Sequence, residues 1–173
     1  MTGDDQARFT QLFEEHRQGV HAFLLARTSD AEVARDLLQE TFLRLWRRLD
    51  EVVVLAEDRQ RAWLYTVARN LVIDRYRTEA SRRDAVSQVG NEVARIASAQ
   101  VDTVDRLADR DDIEHLEAEI ARLPEDQRVV LTMVAVAEMT SQQVGEALDL
   151  PPGTVRYKLH QARTRLADSM ERR

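Results

Sequence analysis

The sequence predicts an all-α protein of two small helical domains joined by a linker, with a helix-turn-helix in the C-terminal domain. The composition favours this fold class: 43% of the residues are hydrophobic and 32% are charged, with only 5 glycines and 3 prolines. Apolar residues also recur at three- and four-residue intervals in several long segments, as in amphipathic helices. One central stretch loses this periodicity, and it divides the chain in two.

The domain boundaries follow from that central stretch. We expect an N-terminal domain over residues 1–80, an acidic flexible linker over residues 81–112 and a C-terminal domain over residues 113–173. The linker has few large apolar side chains, and its second part carries five acids, at Asp102, Asp105, Asp109, Asp111 and Asp112. A segment of this composition cannot bury enough apolar surface to fold by itself, so we expect a linker that is at most transiently helical.

Three helices are predicted in the N-terminal domain. The first covers about residues 9–26, and its apolar face includes His16, which we expect to be packed rather than to bind a ligand. The second is expected to begin at Ser29, because Ser29 and Glu32 have the spacing of a capping box. The third covers roughly residues 61–82.

The segments around these helices carry weaker signals. Residues 50–60 lack a helical period, and their Val52–Val54 run predicts either a short extended piece or a buried loop. In the C-terminal domain, Pro124 followed by Glu125 and Asp126 indicates the acidic first turn of another helix. A helix is therefore expected just before the helix-turn-helix.

Several classes of function are disfavoured by what the sequence lacks. The chain has no cysteine, which excludes disulfides, thiolate zinc sites and a cysteine nucleophile. Its four histidines have no ligand spacing and no phosphate-binding glycine loop occurs, so we expect no metal, no cofactor and no enzyme activity. No segment approaches the roughly 18 uninterrupted apolar residues of a membrane span. We therefore expect a cytoplasmic protein without membrane insertion.

The most specific motif is the helix-turn-helix predicted from Thr140 to Leu166. Thr140 and Gln143 form a capping box, and Pro152 suits the first position of a second helix after the turn. The outer face of this second helix can bond phosphates and base edges in a major groove, through Thr154, Arg156, Tyr157, Lys158, His160, Gln161 and Arg163. The alternative is a helical hairpin with a solvated basic face.

The charge distribution favours nucleic-acid binding at this motif, although the net charge of the chain is -6. Affinity for nucleic acid comes largely from Lys and Arg side chains that neutralise phosphates. Residues 153–173 contain six basic and two acidic residues. The positive charge is thus concentrated at the end of the chain that carries the motif.

A second informative segment covers residues 63–77. Its inward stripe consists of Leu64, Val67, Ala68, Leu71 and Val72, which leaves other faces to Trp63, Thr66, Arg69, Asn70, Ile73 and Arg77. Aromatic, amide and basic groups together suit unpaired bases, because rings stack on bases while Arg and Asn contact backbone and base edges. The alternative is that Trp63 and Tyr76 are ordinary aromatics of the core or its rim.

The third segment is the second predicted helix. Polar side chains follow one another there at three- and four-residue steps, at Asp36, Gln39, Glu40 and Arg47. Leu43 and Trp46 interrupt this stripe with apolar surface, as in a helix that docks on a partner helix. The residue chemistry alone leaves a solvated stripe equally open.

Taken together, these segments resemble the extracytoplasmic-function sigma factors, small two-domain initiation subunits of bacterial RNA polymerase. Residues 36–42, Asp-Leu-Leu-Gln-Glu-Thr-Phe, resemble the core-binding motif of the family, and residues 63–71 with Asp74 and Arg77 resemble its melting helix. The sequence from Leu123-Pro124 onward resembles the C-terminal domain, and residues 153–163 resemble its recognition helix.

The resemblance implies a role for each surface. Core RNA polymerase would be bound by Asp36, Gln39, Glu40, Leu43, Trp46 and Arg47. The unpaired -10 strand of promoter DNA would be held by Trp63, Arg69, Asn70 and Arg77, with the loop from Leu49 to Gln60. The -35 duplex would be read by Gly153, Thr154, Arg156, Tyr157, Lys158, His160 and Arg163. The family also implies an anti-sigma factor as a partner, and it leaves the covalent chemistry to the polymerase.

The sequence departs from the family pattern at two residues, and two rival functions remain open. Arg35 replaces an acid that most members carry, which predicts a weaker interface with core polymerase. Gly145 stands where the family commonly has Ala; it lowers helix propensity by roughly 1 kcal/mol but allows close packing against the recognition helix. The rivals are a helix-turn-helix regulator that binds duplex DNA without polymerase and a helical adaptor that binds only proteins.

Overall fold

The computed structural model describes residues 3–86 and 110–171 of the chain. Every regular element in these two ranges is an α-helix, which confirms the predicted fold class. The helices are α1 (Gly3–Thr28), α2 (Ala31–Arg47), α3 (Leu49–Val52), α4 (Glu57–Val86), α5 (Arg110–Arg122), α6 (Glu125–Ala135), α7 (Ser141–Leu148) and α8 (Pro152–Glu171). Both ends of the predicted linker belong to helices, α4 and α5, and residues 87–109 lie outside the described ranges.

The start of α2 differs from the prediction by one residue. Asp30, not Ser29, caps the helix: its carboxylate accepts hydrogen bonds from the backbone N–H groups of Glu32 and Val33 at 2.9 and 3.1 Å. Ser29 has φ 53°, in the left-handed region, because it forms the tight turn after α1. The extended backbone that a cap requires is reached only at Asp30. The predicted capping box at Ser29 was wrong for this reason.

The segment between α2 and α4 is more helical than predicted. Leu49–Val52 forms the single turn of α3, and α4 begins at Glu57, so only residues 53–56 separate the two helices. Leu49 and Val52 are buried and anchor that turn, whereas Val54 is 78% exposed. A one-turn helix has too few apolar residues to show a period, and Glu57 with Asp58 supplies the acidic first turn that favours a helix start.

The core of the N-terminal half forms where α1, α2 and α4 meet. Phe13 packs edge-on against Phe42 with ring centroids 4.8 Å apart, and Phe23 packs in the same way against the buried Tyr65 at 5.5 Å. His16 is also buried, as predicted from its position on the apolar face of α1. Burial lowers the pKa of His16, because removal from water disfavours the charged imidazolium.

The two halves of the chain pack against each other. Helix α1 lies against α6, and α4 lies against α7. Arg27 at the end of α1 forms an ion pair with Glu125 at the start of α6, with Nη1 and Oε1 2.8 Å apart. Arg128 donates hydrogen bonds to the carbonyl oxygen of Ala26 at 3.0 Å and to the hydroxyl of Ser29 at 2.9 Å. We call this contact the domain interface.

Gly19 shows how closely the halves approach in the domain interface. A β-carbon at this residue of α1 would lie 3.0 Å from the β-carbon of Ala137 and 2.5 Å from the hydroxyl oxygen of Tyr65. Only a residue without a side chain fits between these two groups.

Among the described residues, no helix is both long and apolar enough to cross a bilayer.

Candidate nucleic-acid interface

The helix-turn-helix is built as the sequence predicts. The Thr140 hydroxyl accepts a hydrogen bond from the Gln143 N–H at 3.2 Å, and the Gln143 side chain accepts one from the Thr140 N–H at 2.8 Å. The turn after α7 passes through Asp149, whose φ of 58° is left-handed. Pro152 then opens α8, where its fixed φ suits the first turn. The angle between α7 and α8 is thus set by caps and by the turn.

Gly145 packs against the turn itself. A β-carbon at Gly145 would lie 2.6 Å from the carbonyl oxygen of Leu150, and the Leu150 N–H donates to the Gly145 carbonyl at 2.8 Å. The start of α8 is near as well, because the Pro152 nitrogen would be 3.6 Å from that β-carbon. The close packing predicted for Gly145 therefore exists, mainly with the backbone of the turn.

We expect Gly145→Ala to destabilise the C-terminal half. The substitution gains roughly 1 kcal/mol of helix propensity, but overpacking against a backbone atom costs about 1–3 kcal/mol, and the backbone of the turn has little room to yield. Thermal unfolding followed by circular dichroism should show a lower melting temperature. The matched control is Gly3→Ala, since no described atom lies within 4 Å of a β-carbon there. A melting temperature raised by Gly145→Ala would contradict this reading of the turn.

Helix α8 presents a polar face to solvent. Its inward residues Val155, Leu159 and Ala162 are buried, while Leu166 is half-buried. Of the predicted -35 contacts, Thr154 and Lys158 are half-buried and the others are exposed, namely Gly153, Arg156, Tyr157, His160 and Arg163. Tyr157 is 61% exposed, although an aromatic ring is costly to leave in water. A face of this kind can donate hydrogen bonds to phosphates and to base edges.

Lys158 differs from the other residues of this face because its ammonium group is already paired. It bonds the carboxylate of Asp126 in the first turn of α6, and its side chain is only 22% exposed. The hydrogen bond from Lys158 lowers the pKa of Asp126, because it stabilises the ionised carboxylate.

Helix α4 carries the predicted -10 residues around its buried stripe. Asn70 and Arg77 are exposed, whereas Trp63 and Arg69 are half-buried. Trp63 packs on the hydrophobic core with part of its surface and leaves the rest accessible. The Tyr76 hydroxyl donates to the carbonyl oxygen of Arg27 at 2.8 Å, so Tyr76 is a rim aromatic that ties α4 to the end of α1.

The turn before α4, which belongs to the Leu49–Gln60 segment predicted to help hold the -10 strand, adds exposed apolar surface. The Gln60 side chain donates to the carbonyl oxygens of Leu55 at 2.8 Å and Val53 at 3.4 Å, which holds residues 53–56 in a compact turn. Val54 projects from this turn into solvent. The available signal was an apolar run without helical period, which showed an irregular segment but not which of its residues is exposed.

Helix α2 presents the third predicted surface. Asp36, Gln39 and Arg47 are exposed, Leu43 is 41% exposed, and Glu40 and Trp46 are half-buried. Trp46 is fixed by an edge contact with Phe9, with ring centroids 5.0 Å apart, and Glu40 pairs with Arg44 at 3.0 Å. The result is a polar helix face with an accessible leucine beside an anchored indole. Such a face suits a protein partner.

Comparisons with known proteins identify the family of both halves of the chain. Residues 12–82 match the family described as Sigma-70 region 2, and residues 113–166 match Sigma-70, region 4. The chain is 31% identical over 160 residues to the ECF RNA polymerase sigma factor SigL of Mycobacterium tuberculosis, covering 91% of this chain and 86% of SigL. It is 25% identical over 168 residues to SigW of Bacillus subtilis, covering 94% and 88% of the two chains.

Two solved structures share the fold. The sigma factor RpoE, in a complex with the anti-sigma factor NepR from Bartonella quintana, aligns with a TM-score of 0.69 and 20% identity over 98% of both chains. CnrH, in a complex with the cytosolic domain of CnrY, aligns with a TM-score of 0.61 and 22% identity over 96% of this chain and 89% of CnrH.

Proposed function

Since the chain belongs to the extracytoplasmic-function sigma factors of the sigma-70 family, we propose that its three polar surfaces divide the tasks of transcription initiation among themselves. We assign region 2 to residues 1–80, the acidic linker to residues 81–112 and region 4 to residues 113–173. The protein acts as an initiation factor in the cytoplasm and performs no covalent chemistry, because phosphoryl transfer belongs to the polymerase.

The observation that carries the proposal is the outer face of α8. Exposed Arg156, Tyr157, His160 and Arg163 follow directly on a capped turn that fixes the helix for entry into a major groove. We assign this face to the -35 duplex, together with Gly153 and Thr154. Lys158, which the sequence also predicts there, is paired with Asp126 in the free chain. An electrostatic contribution comes from the basic residues around it, which neutralise phosphates.

Helix α4 and the turn at residues 53–56 take the -10 element. Asn70 and Arg77 are exposed, and Arg77 has only a long ion pair with Asp74, at 4.0 Å. Arg69 is partly accessible, and Trp63 offers an anchored ring on which an unpaired base stacks. The exposed Val54 supplies apolar surface in the turn directly before α4. The assignment is to single-stranded DNA because stacking needs bases that are not in a duplex.

The α2 surface binds core RNA polymerase. Leu43 and Trp46 supply apolar area, and Asp36, Gln39, Glu40 and Arg47 surround it with polar groups, as in protein interfaces with an apolar centre and a polar rim. Arg35 lies at the edge of this surface; it is exposed, and its Nε donates to the Ala31 carbonyl at 3.3 Å.

We expect Arg35→Glu to strengthen binding to core polymerase by about fivefold, which corresponds to roughly 1 kcal/mol for a charge at an interface rim. The reason is that Arg35 stands where the family carries an acid. Titration of labelled core polymerase measures the affinity, and Arg17→Glu, an exposed charge reversal on α1, is the control. An affinity that Arg35→Glu leaves unchanged would show that this charge has no part in the interface.

The domain interface makes the free chain unable to use both DNA surfaces together. A compact chain of this length has a radius of gyration of about 16 Å, hence a diameter of about 40 Å. The -10 and -35 elements lie about 25 base pairs apart, or about 85 Å along B-DNA. The two halves must therefore separate before both elements are bound, and we assign this separation to the binding of core polymerase.

An anti-sigma factor acts on the equilibrium between the packed and the separated halves of the chain. RpoE and CnrH, which share this fold, were each solved in a complex, and the partner of RpoE is an anti-sigma factor. We propose that a partner of this class inhibits the present chain by favouring the state in which α1 meets α6 and α4 meets α7.

Promoter binding with and without core polymerase tests the proposed function. Fluorescence anisotropy with labelled promoter DNA should show negligible binding by the chain alone and specific binding once core polymerase is added. Tight and specific binding by the isolated chain would favour the rival helix-turn-helix regulator. Binding to core polymerase with no gain in promoter specificity would favour the rival adaptor.

A further inference from the structure

The first turn of α6 lies behind the outer face of α8 and contacts two of its polar side chains, Lys158 and Gln161. We propose that this turn determines which side chains of α8 are available to DNA. Gln127 positions Tyr157 as a hydrogen-bond donor to the -35 duplex, and Asp126 keeps Lys158 from contact with phosphates. The inference rests on the proposed role of α8 in reading the -35 element and names the residues that prepare it.

A chain of two hydrogen bonds links the core to Tyr157. Gln127 is only 5% exposed, and its Nε2 donates to Gln161 Oε1 at 2.9 Å. Gln161 Nε2 in turn donates to the Tyr157 hydroxyl at 2.7 Å, one helical turn away. The orientation of an exposed side chain is thereby fixed by a buried one on another helix.

The direction of these bonds decides what Tyr157 offers. Its oxygen accepts from Gln161, so the phenolic proton remains available to donate outward. Phosphate oxygens and the N7, O6 and O4 atoms of bases in the major groove are acceptors for such a proton. Tyr157 is thus a preoriented donor on the exposed outer face of α8.

Buried Gln127 satisfies only part of its own hydrogen-bonding capacity. Its Oε1 has no hydrogen-bond partner in the described parts of the chain. A buried polar atom without a partner lowers stability, so an apolar side chain would serve packing alone at least as well. The amide is therefore better explained by its bond to Gln161 than by the core in which it lies.

Lys158 differs from the neighbouring polar residues of α8 because it already has a partner within the protein. Its ammonium group is compensated by the Asp126 carboxylate before any DNA is present. Binding to a phosphate would require this ion pair to break and would leave the Asp126 carboxylate without its partner, which opposes the contact. On the outer face of α8, the charges that remain for phosphates are those of the exposed Arg156 and Arg163.

The salt dependence of promoter binding tests the assignment of Lys158. Each phosphate contact contributes about 0.9 to the slope of log affinity against log salt concentration. Holoenzyme with Asp126→Asn should show a slope steeper by about 0.9 than wild type, because Lys158 is released to a phosphate, and Lys158→Gln in the same chain should remove the increase. An unchanged slope in Asp126→Asn, or a shallower one in Lys158→Gln alone, overturns the assignment.

Arg156→Gln separates this failure from a failure of the proposed function. The affinity of holoenzyme for the promoter should fall, because the exposed Arg156 is assigned to the duplex, and the slope should be shallower by about 0.9 when the lost contact is to a phosphate. If Arg156→Gln changes neither the affinity nor the slope, α8 does not bind the duplex, and the proposed function is overturned together with the inference.

A double-mutant cycle tests Gln127. We expect Gln127→Leu to weaken binding of holoenzyme to the promoter about fivefold, as for one lost hydrogen bond, and to have no further effect when Tyr157 is already Phe. An equal loss of promoter affinity with tyrosine and with phenylalanine at residue 157 would show that Gln127 has a merely structural role, and it would overturn the inference. Gln161→Leu, which breaks the same chain at a half-exposed position, should give the same coupling to Tyr157 and serves if Gln127→Leu unfolds.

Discussion

Replacing both Arg156 and Arg163 with alanine is expected to reduce promoter-specific transcription about 100-fold or more. Each arginine that contacts a base or phosphate contributes about 1–3 kcal/mol to discrimination, and the two contributions act on the same complex. Both side chains are exposed and project from the outer face of α8. Run-off transcription with saturating core polymerase measures the loss.

Arg165→Ala is the matched control for this double variant. Arg165 is exposed on the same helix, but it lies nine residues from Arg156, about 180° around the helix axis. Its loss should change transcription less than threefold while removing the same kind of charge. Equal losses for Arg165→Ala and for the double variant would mean that α8 acts only through its overall charge, and the -35 assignment of its outer face would be wrong.

The second large effect is expected at the domain interface. Glu125→Arg should separate the two halves of the free chain. The substitution replaces the partner of Arg27 with a second positive charge, and the side chain of Arg27 is only 23% exposed. Like charges brought together at an interface cost several kcal/mol. Small-angle scattering should show a radius of gyration well above the value of about 16 Å for the compact chain. Binding of the isolated chain to promoter DNA should rise at least tenfold.

A charge swap provides the control for Glu125→Arg. Arg27→Glu combined with Glu125→Arg restores an ion pair at the same place and should restore the compact chain. Arg122→Ala removes an exposed arginine of α5 that pairs with Glu119 of the same helix, and it should leave the radius of gyration unchanged. If Glu125→Arg leaves both the radius and the promoter affinity at wild-type values, the domain interface does not limit DNA binding.

Local signals made much of the helix-turn-helix predictable from sequence. Thr140 and Gln143 were recognised as a capping box and Pro152 as the first residue of a helix, and all three do what was expected. Such signals are reliable because a cap or a proline acts on backbone groups within four residues. The same reasoning failed at Ser29, where two adjacent residues were both able to cap and the turn geometry chose Asp30.

Contacts between distant parts of the chain were not predictable. Arg27 and Glu125 are 98 residues apart, and neither lies in a pattern that points to the other. The same holds for Gln127 and Gln161, since each looks like an ordinary polar residue of an amphipathic helix. Sequence periodicity shows which face of a helix is buried, but it does not show which helix covers it.

The predicted site residues illustrate the same limit. Composition and spacing placed Lys158 with the other polar residues of α8, and only the structure brings Asp126 next to it. Resemblance to a family assigned functions to whole surfaces. The distances between side chains then distinguish residues that are available to DNA from those already engaged within the protein.

Run-off transcription with purified core RNA polymerase tests the central claim most directly, on a promoter found by mapping the sites that the chain occupies across its genome. If the chain is an initiation factor with two DNA surfaces, core polymerase plus the chain should give one discrete transcript, and neither component alone should give it. The transcript should disappear when either the -10 or the -35 element is altered. Specific promoter binding by the chain alone, with no transcript on addition of core polymerase, would contradict the account.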